Sequence, residues 1–261
     1  MKNITIILPI HRVNEDYKQM LLAAVESAKE FYNDVKLLIV APEKIKKDLL
    51  KIDLGQKLEI THHFHNSDSN FCNQINLGAQ ACDTQWFSIL EVDDEYQKTW
   101  LKVVNQYMTE HPDAEVILPI VKDVNVEGTF TNYTNESVWA YGFSETQGIL
   151  DNEVLMEYQN YQISGGLYKT KTFLDNGGLK DNIKLTFGYE LLLRLTHNGV
   201  KIVIVPKIGY RHVNLREDSL FWLYKNDETN KLKENEAKFW VETAKKEFFF
   251  NNKRDVKYND V

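Results

Sequence analysis

Cysteine, net positive charge and long apolar runs are all scarce in this chain, and each scarcity removes a class of protein. Cys72 and Cys82 are the only cysteines in 261 residues, and they form no Cys-x-x-Cys pair. A disulfide-stapled scaffold is therefore not expected, and the two thiols read as small apolar fillers in a reducing compartment. The formal net charge is −7, so the basic face of a dedicated nucleic-acid binder is not expected either. No stretch approaches the roughly 20 apolar residues that cross a bilayer. The opening run from Ile4 to Ile10 is broken at once by His11-Arg12, which argues against a signal peptide. Internal repeats and low-complexity tracts are lacking as well. What remains is a chain 43% hydrophobic and 12% aromatic, enough to build a core for one large domain or a domain with an appendage. A cytoplasmic protein is the expectation.

The first half alternates strand and helix signals. Ile4 to Ile10, Val35 to Val40, Leu58 to Phe64, Trp86 to Leu90 and Glu115 to Val121 are short apolar runs that predict strands. Between them, Asp16 to Phe31, Glu43 to Ile52, Asn73 to Ala81 and Thr99 to Thr109 carry apolar residues at helical spacing. Such alternation predicts an α/β fold with a mostly parallel central sheet flanked by helices. From Asn125 to Tyr161 the pattern weakens, as in loops over a site. Lys171 to Asn176 and Tyr189 to His197 predict helices, and Lys201 to Val205 a strand. After about Asp218, lysine, glutamate, asparagine and aromatic residues predict a helical extension. The domain boundaries expected are 1–217, divided into 1–98 and 99–217, followed by 218–261.

Chemistry concentrates at Glu91-Val92-Asp93-Asp94-Glu95. Four carboxylates within five residues at a strand end repel one another, and burying them without a counterion is costly. Hard divalent cations such as Mn²⁺ or Mg²⁺ take oxygen ligands and bridge carboxylates to phosphates. An acidic, solvated turn is the plainer alternative. In parallel sheets ligands bind beyond the carboxyl ends of the strands, and both this cluster and Pro9-Ile10-His11-Arg12 fall there. His62-His63-Phe64-His65 is no metal site on this reading, because alternation sends neighbouring side chains to opposite faces.

The order of motifs resembles glycosyltransferase family 2, with its GT-A fold. The resemblance is carried by the first strand with Pro9, by Asn76-Leu77-Gly78-Ala79-Gln80-Ala81, and by Trp86 to Asp94. It continues through Gly165-Gly166-Leu167-Tyr168, Gly177-Gly178-Leu179, Tyr189 to Leu195, Gly199 to Ile202, Val205-Pro206 and Tyr210-Arg211-His212. It spans roughly residues 3–220. By position it implies that Asp93 contacts the nucleotide ribose or the metal, that Asp94 ligates Mn²⁺ or Mg²⁺, and that His212 adds a further ligand. Pro9, His11, Asn76 and Gly166 would line the nucleotide-sugar pocket. Asn76 also has the simpler reading of a helix-packing residue, and His11 that of a solvated loop histidine.

Three departures stand out. Val40 is followed by Ala41-Pro42-Glu43 in place of the family's paired acids, so uridine is only the default nucleotide. The first acid of the usual Asp-x-Asp-Asp arrangement is Glu91. The family's catalytic Glu-Asp pair falls on Phe187-Gly188, neither of which accepts a proton. That leaves Glu190 as first choice of general base and Asp181 as second, with Glu190 otherwise a partner for Arg194 one helical turn on. The expectation is an inverting, metal-dependent transfer of a sugar from a nucleotide diphosphate to an acceptor hydroxyl. Trp139, Tyr141 and Phe143 would line the acceptor side. The alternative is a catalytically inactive sugar- or nucleotide-binding module. A nucleotidyltransferase is disfavoured, since no Gly-rich loop follows the first strand. No nucleic acid is expected as a partner. Phe239-Trp240 and Phe248-Phe249-Phe250, beside Lys245-Lys246 and Lys253-Arg254, suit core packing or an oligomer interface, and membrane contact would be peripheral.

Overall fold

A computed structural model of the chain describes residues 2–67, 69–140, 146–214, 216–226, 232–243 and 246. Its centre is β1 (Ile4–Pro9), buried along its whole length. Parallel neighbours lie on both sides, β2 (Val35–Pro42) and β4 (Trp86–Ile89). Because successive strand residues point to opposite faces, Ile6 and Leu8 enter one core with α1 (Glu15–Lys29), whereas Ile7 enters the other. Both faces are covered, which is why these strands are continuously apolar. α1 starts where Asn14 Oδ1 accepts the Tyr17 amide at 2.8 Å, with Glu15 and Asp16 in its positive first turn.

The outer strand on this side is β3 (Ile60–His65), parallel to β2. His62 and Phe64 stack on one face at 5.7 Å between ring centroids, and His65 turns inward, 7% exposed. The stretch after β2 departs from the helix expected over 43–52: a 3₁₀ turn Glu43–Ile45 leads into only one α-turn, α2 (Lys46–Leu49). One apolar anchor, Leu49, is buried there, too few to support a long amphipathic helix. α3 (Phe71–Ala81) begins two residues earlier than its periodicity suggests, because Asn70 Oδ1 caps the Asn73 amide at 2.9 Å.

β5 (Glu95–Tyr96), α4 (Trp100–Glu110), β6 (Val116–Val124), β7 (Phe130–Thr134), β8 (Ile149–Leu150), α5 (Asn152–Glu157), β9 (Leu167–Lys169), α6 (Thr170–Asp175), α7 (Phe187–His197), β10 (Ile202–Val213), α8 (Leu220–Asn226) and α9 (Leu232–Thr243) complete the order. The main sheet runs β3-β2-β1-β4-β9-β6-β10-β5, with β7 on β6 and β8 on β10. β9 is antiparallel to both β4 and β6, so the sheet is mixed at its middle. β10 is the largest difference from the expected strand over 201–205. Irregularities around Pro206 and Gly209 break its ladder with β6, which resumes at Tyr210↔Val121 and runs to Val213↔Val124. Proline cannot donate to a ladder and bulges absorb it; the resumed segment carries His212 within the sheet.

α9 packs on the body through Trp240, 8% exposed. Glu236 Oε1 accepts the amides of Leu185 and Thr186 at 2.7 and 2.8 Å, capping the start of α7. Among the described residues no helix is long and apolar enough to cross a membrane.

α3 meets β1 and β2 at Gly78, where a Cβ would stand 2.5 Å from Ile7 Cγ2 and 3.1 Å from Val40 Cγ2. Both neighbours are β-branched and packed, so neither yields cheaply. Gly78→Ala is expected to destabilise the protein by about 1–3 kcal/mol despite alanine's better helix propensity. Thermal unfolding would show this as a Tm lower by several degrees; an unchanged or raised Tm would contradict the packing described.

Candidate active site

β4 delivers its chain directly into the acidic turn. The Leu90 amide still bonds Ile7 O at 3.0 Å, and Asp94 N closes the turn on Glu91 O at 3.2 Å. Val92, 6% exposed, is anchored in the core and sets the carboxylates on either side of it. Asp94 is fully buried. Its Oδ2 lies 2.9 Å from His212 Nδ1, and its Oδ1 accepts the Val213 amide at 2.8 Å. Glu91 Oε1 accepts from Ser164 Oγ at 2.6 Å, while its own amide donates to the Tyr210 hydroxyl at 2.9 Å. One ligand atom each from Glu91, Asp94 and His212 lies within 4.8 Å of the others.

The charges respond to this crowding. Burial, then the neighbouring Asp94 carboxylate, pushes Glu91 up to about 7. Burial pulls the His212 imidazole down, but Asp94 beside it overcomes this and holds it up at about 10, so it stands as an imidazolium. Burial also raises Asp93, against the pull of Arg216. Two carboxylates and an imidazole converging in this way form a hard oxygen–nitrogen donor set that fits a Mn²⁺- or Mg²⁺-like cation. Binding one there would require His212, and Glu91 where protonated, to lose a proton.

Asp93 faces a different partner. Arg216 Nε donates to its Oδ2 at 2.8 Å, and the same guanidinium lies 5.2 Å from the Tyr17 ring centroid. Asp218 bonds both Arg216 and Arg12, tying the segment after β10 to the loop after β1. An open cavity of about 270 Å³ lies beside this strap, bordered by Met20, Ala23, Asp93, Asp94, Arg211 and Arg216. Along its wall Arg211 Nη1 pairs with Glu95 Oε1 at 3.0 Å.

The other residues singled out in the sequence scatter around this centre. Pro9 ends β1 and is buried. His11 bonds the Tyr17 hydroxyl at 2.9 Å, and burial, with Arg12 next, lowers it to about 4, so its ring is neutral. Asn76 clamps the Leu179 backbone twice, at 2.7 and 2.8 Å. Gly166 sits where a Cβ would stand 2.5 Å from Leu118 Cδ2. Glu190 is fully buried, with Arg194 across both its oxygens at 2.7 and 2.8 Å and Lys180 at 3.1 Å. Arg194 also reaches the carbonyls of Asn176 and Gly178, so this ion pair holds the 176–180 segment. Asp181 is exposed. Trp139 donates its indole N–H to Ile204 O at 3.2 Å, and its ring covers Gly148. Tyr141, Phe143 and the Phe248-Phe249-Phe250 segment lie outside the described residues.

Sequence reasoning missed Ser164, Arg216 and Asp123. Ser164 and Arg216 left no periodic or motif signal. Asp123 lay beyond the expected end of its strand at Val121; it is the cross-strand partner of His212, and burial raises it to about 6.

Comparison with known structures places the chain in a class. The crystal structure of TarS 1–349 from S. aureus in complex with UDP-GlcNAc superposes with a TM-score of 0.65 over 99% of this chain and 77% of that one, at 14% identity. The mannosyltransferase PcManGT from Pyrobaculum calidifontis, in complex with GDP-Man and Mn²⁺, superposes with a TM-score of 0.60 over 83% of this chain and 58% of that one, at 9% identity. At such identities the likeness concerns architecture, and the architecture is the GT-A fold. No curated protein matches the sequence. The profile of glycosyl transferase family 2 matches residues 5–164, and the chain belongs to that family of enzymes.

The Asp94–His212 contact sets a pH dependence. His212 is held above its ordinary value of 6.5, so its stabilising contribution is complete below about 6.5 and is lost as pH rises through about 10. Metal-free protein should therefore lose stability between about pH 6.5 and 10, and His212→Gln should flatten that slope in chemical denaturation series. His212→Ala, which strands a buried carboxylate, should cost about 3 kcal/mol. An equally steep slope in His212→Gln would refute the assignment.

Proposed function

We propose that this glycosyltransferase moves a sugar from a nucleotide diphosphate donor to an acceptor hydroxyl in a metal-dependent, inverting displacement, with a uridine nucleotide as the default donor. The observation that carries the reading is the convergence of Glu91, Asp94 and His212 at the strand ends. Solved complexes of the same fold support the donor class, with UDP-GlcNAc, UDP and GDP-Man as ligands and Mn²⁺ accompanying GDP-Man. These three residues would hold a divalent cation, whose charge would offset that building on the diphosphate as it leaves.

The chain's own residues do the rest. Pro9 and His11, at the end of β1, border the base side. Asp93 is positioned for the ribose or the metal. Arg216 is the cation nearest Asp93, and it is placed to pair with the diphosphate once a donor enters. In the transfer the acceptor oxygen forms its bond to the anomeric carbon while the bond from that carbon to the diphosphate oxygen breaks. The electron pair leaves with the diphosphate. The acceptor's proton must pass to a base; of the two carboxylates considered, Glu190 is committed to Arg194 and Lys180, and Asp181 is the exposed one.

That commitment of Glu190, with Phe187-Gly188 at the usual acid pair, also favours a second reading, a binding module without turnover. Release of nucleoside diphosphate from a panel of nucleotide sugars distinguishes the two, since a module releases none.

With Mn²⁺ present, UDP or GDP at a hundredfold excess over Kd should stabilise the protein by about 2.7 kcal/mol. A thermal-shift screen of nucleotides and nucleotide sugars, with and without Mn²⁺, reads this directly. Asp94→Asn should lower Mn²⁺ affinity at least about tenfold and remove the metal-dependent shift. The reading fails if no nucleoside diphosphate binds with metal, or if Asp94→Asn retains the full shift.

A further inference from the structure

β6, β7 and the turn after β7 carry three side-chain oxygens that have no hydrogen-bond partner among the described residues. They are Asp123 Oδ1, Thr134 Oγ1 and Glu136 Oε2. Asp123 is 5% exposed and Thr134 is 4% exposed. A buried carboxylate oxygen without a partner is costly, and native proteins rarely leave one so. Other buried acids of this chain follow the rule: Glu190 is bonded by Arg194, and Asp94 by His212 and the Val213 amide. Asp123 breaks it beside the reaction centre.

Its direction follows from strand register. Asp123 and His212 are paired across parallel strands, so their side chains leave the sheet on the same face. Thr134 pairs with Val121, two residues before Asp123, and thus joins that face. The charges of His212, Asp94 and Glu136 all reach the Asp123 carboxyl. Asp123 nonetheless stands outside the group of ligand atoms that lie within 4.8 Å of one another. It is next to the cation position without belonging to it.

The segment is also held rigidly. Asn135 adopts a left-handed φ of 71°, an uncommon conformation for a residue other than glycine. Its Nδ2 donates to Pro119 O at 2.8 Å and Gln162 O at 3.0 Å, and its Oδ1 accepts the Gln162 amide at 2.9 Å. Gln162 lies two residues before Ser164, the residue that orients Glu91. One tie therefore fixes Glu136 relative to the proposed metal ligands. A preorganised, buried carboxylate oxygen without a protein donor suits a ligand that brings hydroxyl donors of its own.

We propose that Asp123, assisted by Thr134, is a recognition site for a hydroxyl group of a sugar ring at the transfer centre. The proposal rests on the nucleotide-sugar reading above and adds to it the residues that read the sugar. The ring is that of the donor or that of the acceptor; both offer the same chemistry.

Isothermal titration in Mn²⁺ with UDP, UDP-GlcNAc, GDP and GDP-Man, on wild type, Asp123→Asn and Thr134→Val, tests it. The nucleoside diphosphates should bind Asp123→Asn within about twofold of wild type. For a donor-ring contact, the nucleotide sugar that wild type prefers should weaken about tenfold or more. For an acceptor-ring contact, donor affinities stay unchanged and KM for the acceptor rises by a similar factor while donor hydrolysis is kept. A structural role is separated by stability: Asp123→Asn should leave Tm equal or higher, because it removes a buried carboxylate whose Oδ1 has no hydrogen-bond donor. The proposal is overturned if Asp123→Asn matches wild type in both donor affinity and acceptor KM. It is equally overturned if nucleoside diphosphate affinity falls as far as nucleotide-sugar affinity, which would place Asp123 with the metal. Failure of wild type to bind any nucleoside diphosphate with Mn²⁺ would instead overturn the underlying reading.

Discussion

The site depends on how β10 receives Asp94. That carboxylate is wholly buried, and both oxygens are taken by consecutive residues of one strand, the His212 ring and the Val213 amide. Strand alternation makes this pairing geometric as well as electrostatic: a side chain and the next backbone amide reach the same carboxylate only if β10 passes at one height and in one register. Tyr210, two residues earlier, uses its hydroxyl to accept the Glu91 amide. Three successive sections of β10 thus position the acidic turn, and the bulged stretch around Pro206 and Gly209 determines that register.

The acids of the turn are each matched by a protein group. Four carboxylates in one turn would repel strongly in a buried setting. Each meets a different answer: Asp94 has the His212 imidazolium, Asp93 has Arg216, Glu95 has Arg211, and Glu91 has Ser164 with its proton affinity raised. The cations involved all come from the end of β10 and the segment after it. The acids of the turn and the strap that crosses them are consequently one electrostatic unit.

Much of the frame is legible in the residue pattern. β1, β2, β4 and α1 follow from apolar runs and helical spacing, because their burial on two faces leaves a strong local pattern. The acidic turn is legible because four like charges crowd into five residues directly after a buried strand. Weaker signals misled in proportion to their weakness. The 43–52 helix shrank to a turn for want of apolar anchors, and β10 ran on past a proline that locally reads as a stop.

Fold class, the order of motifs and the place where negative charge accumulates are written in neighbouring residues. Which acids converge is set by strand register and packing. Glu91 and Asp94 meet His212, Asp93 turns to Arg216, and Glu190 is spent on Arg194. Asp123 became visible only when β6 was extended beside β10. The physical reason is distance along the chain: Asp94 and His212 stand 118 residues apart. No local periodicity reports a pairing that strand register creates.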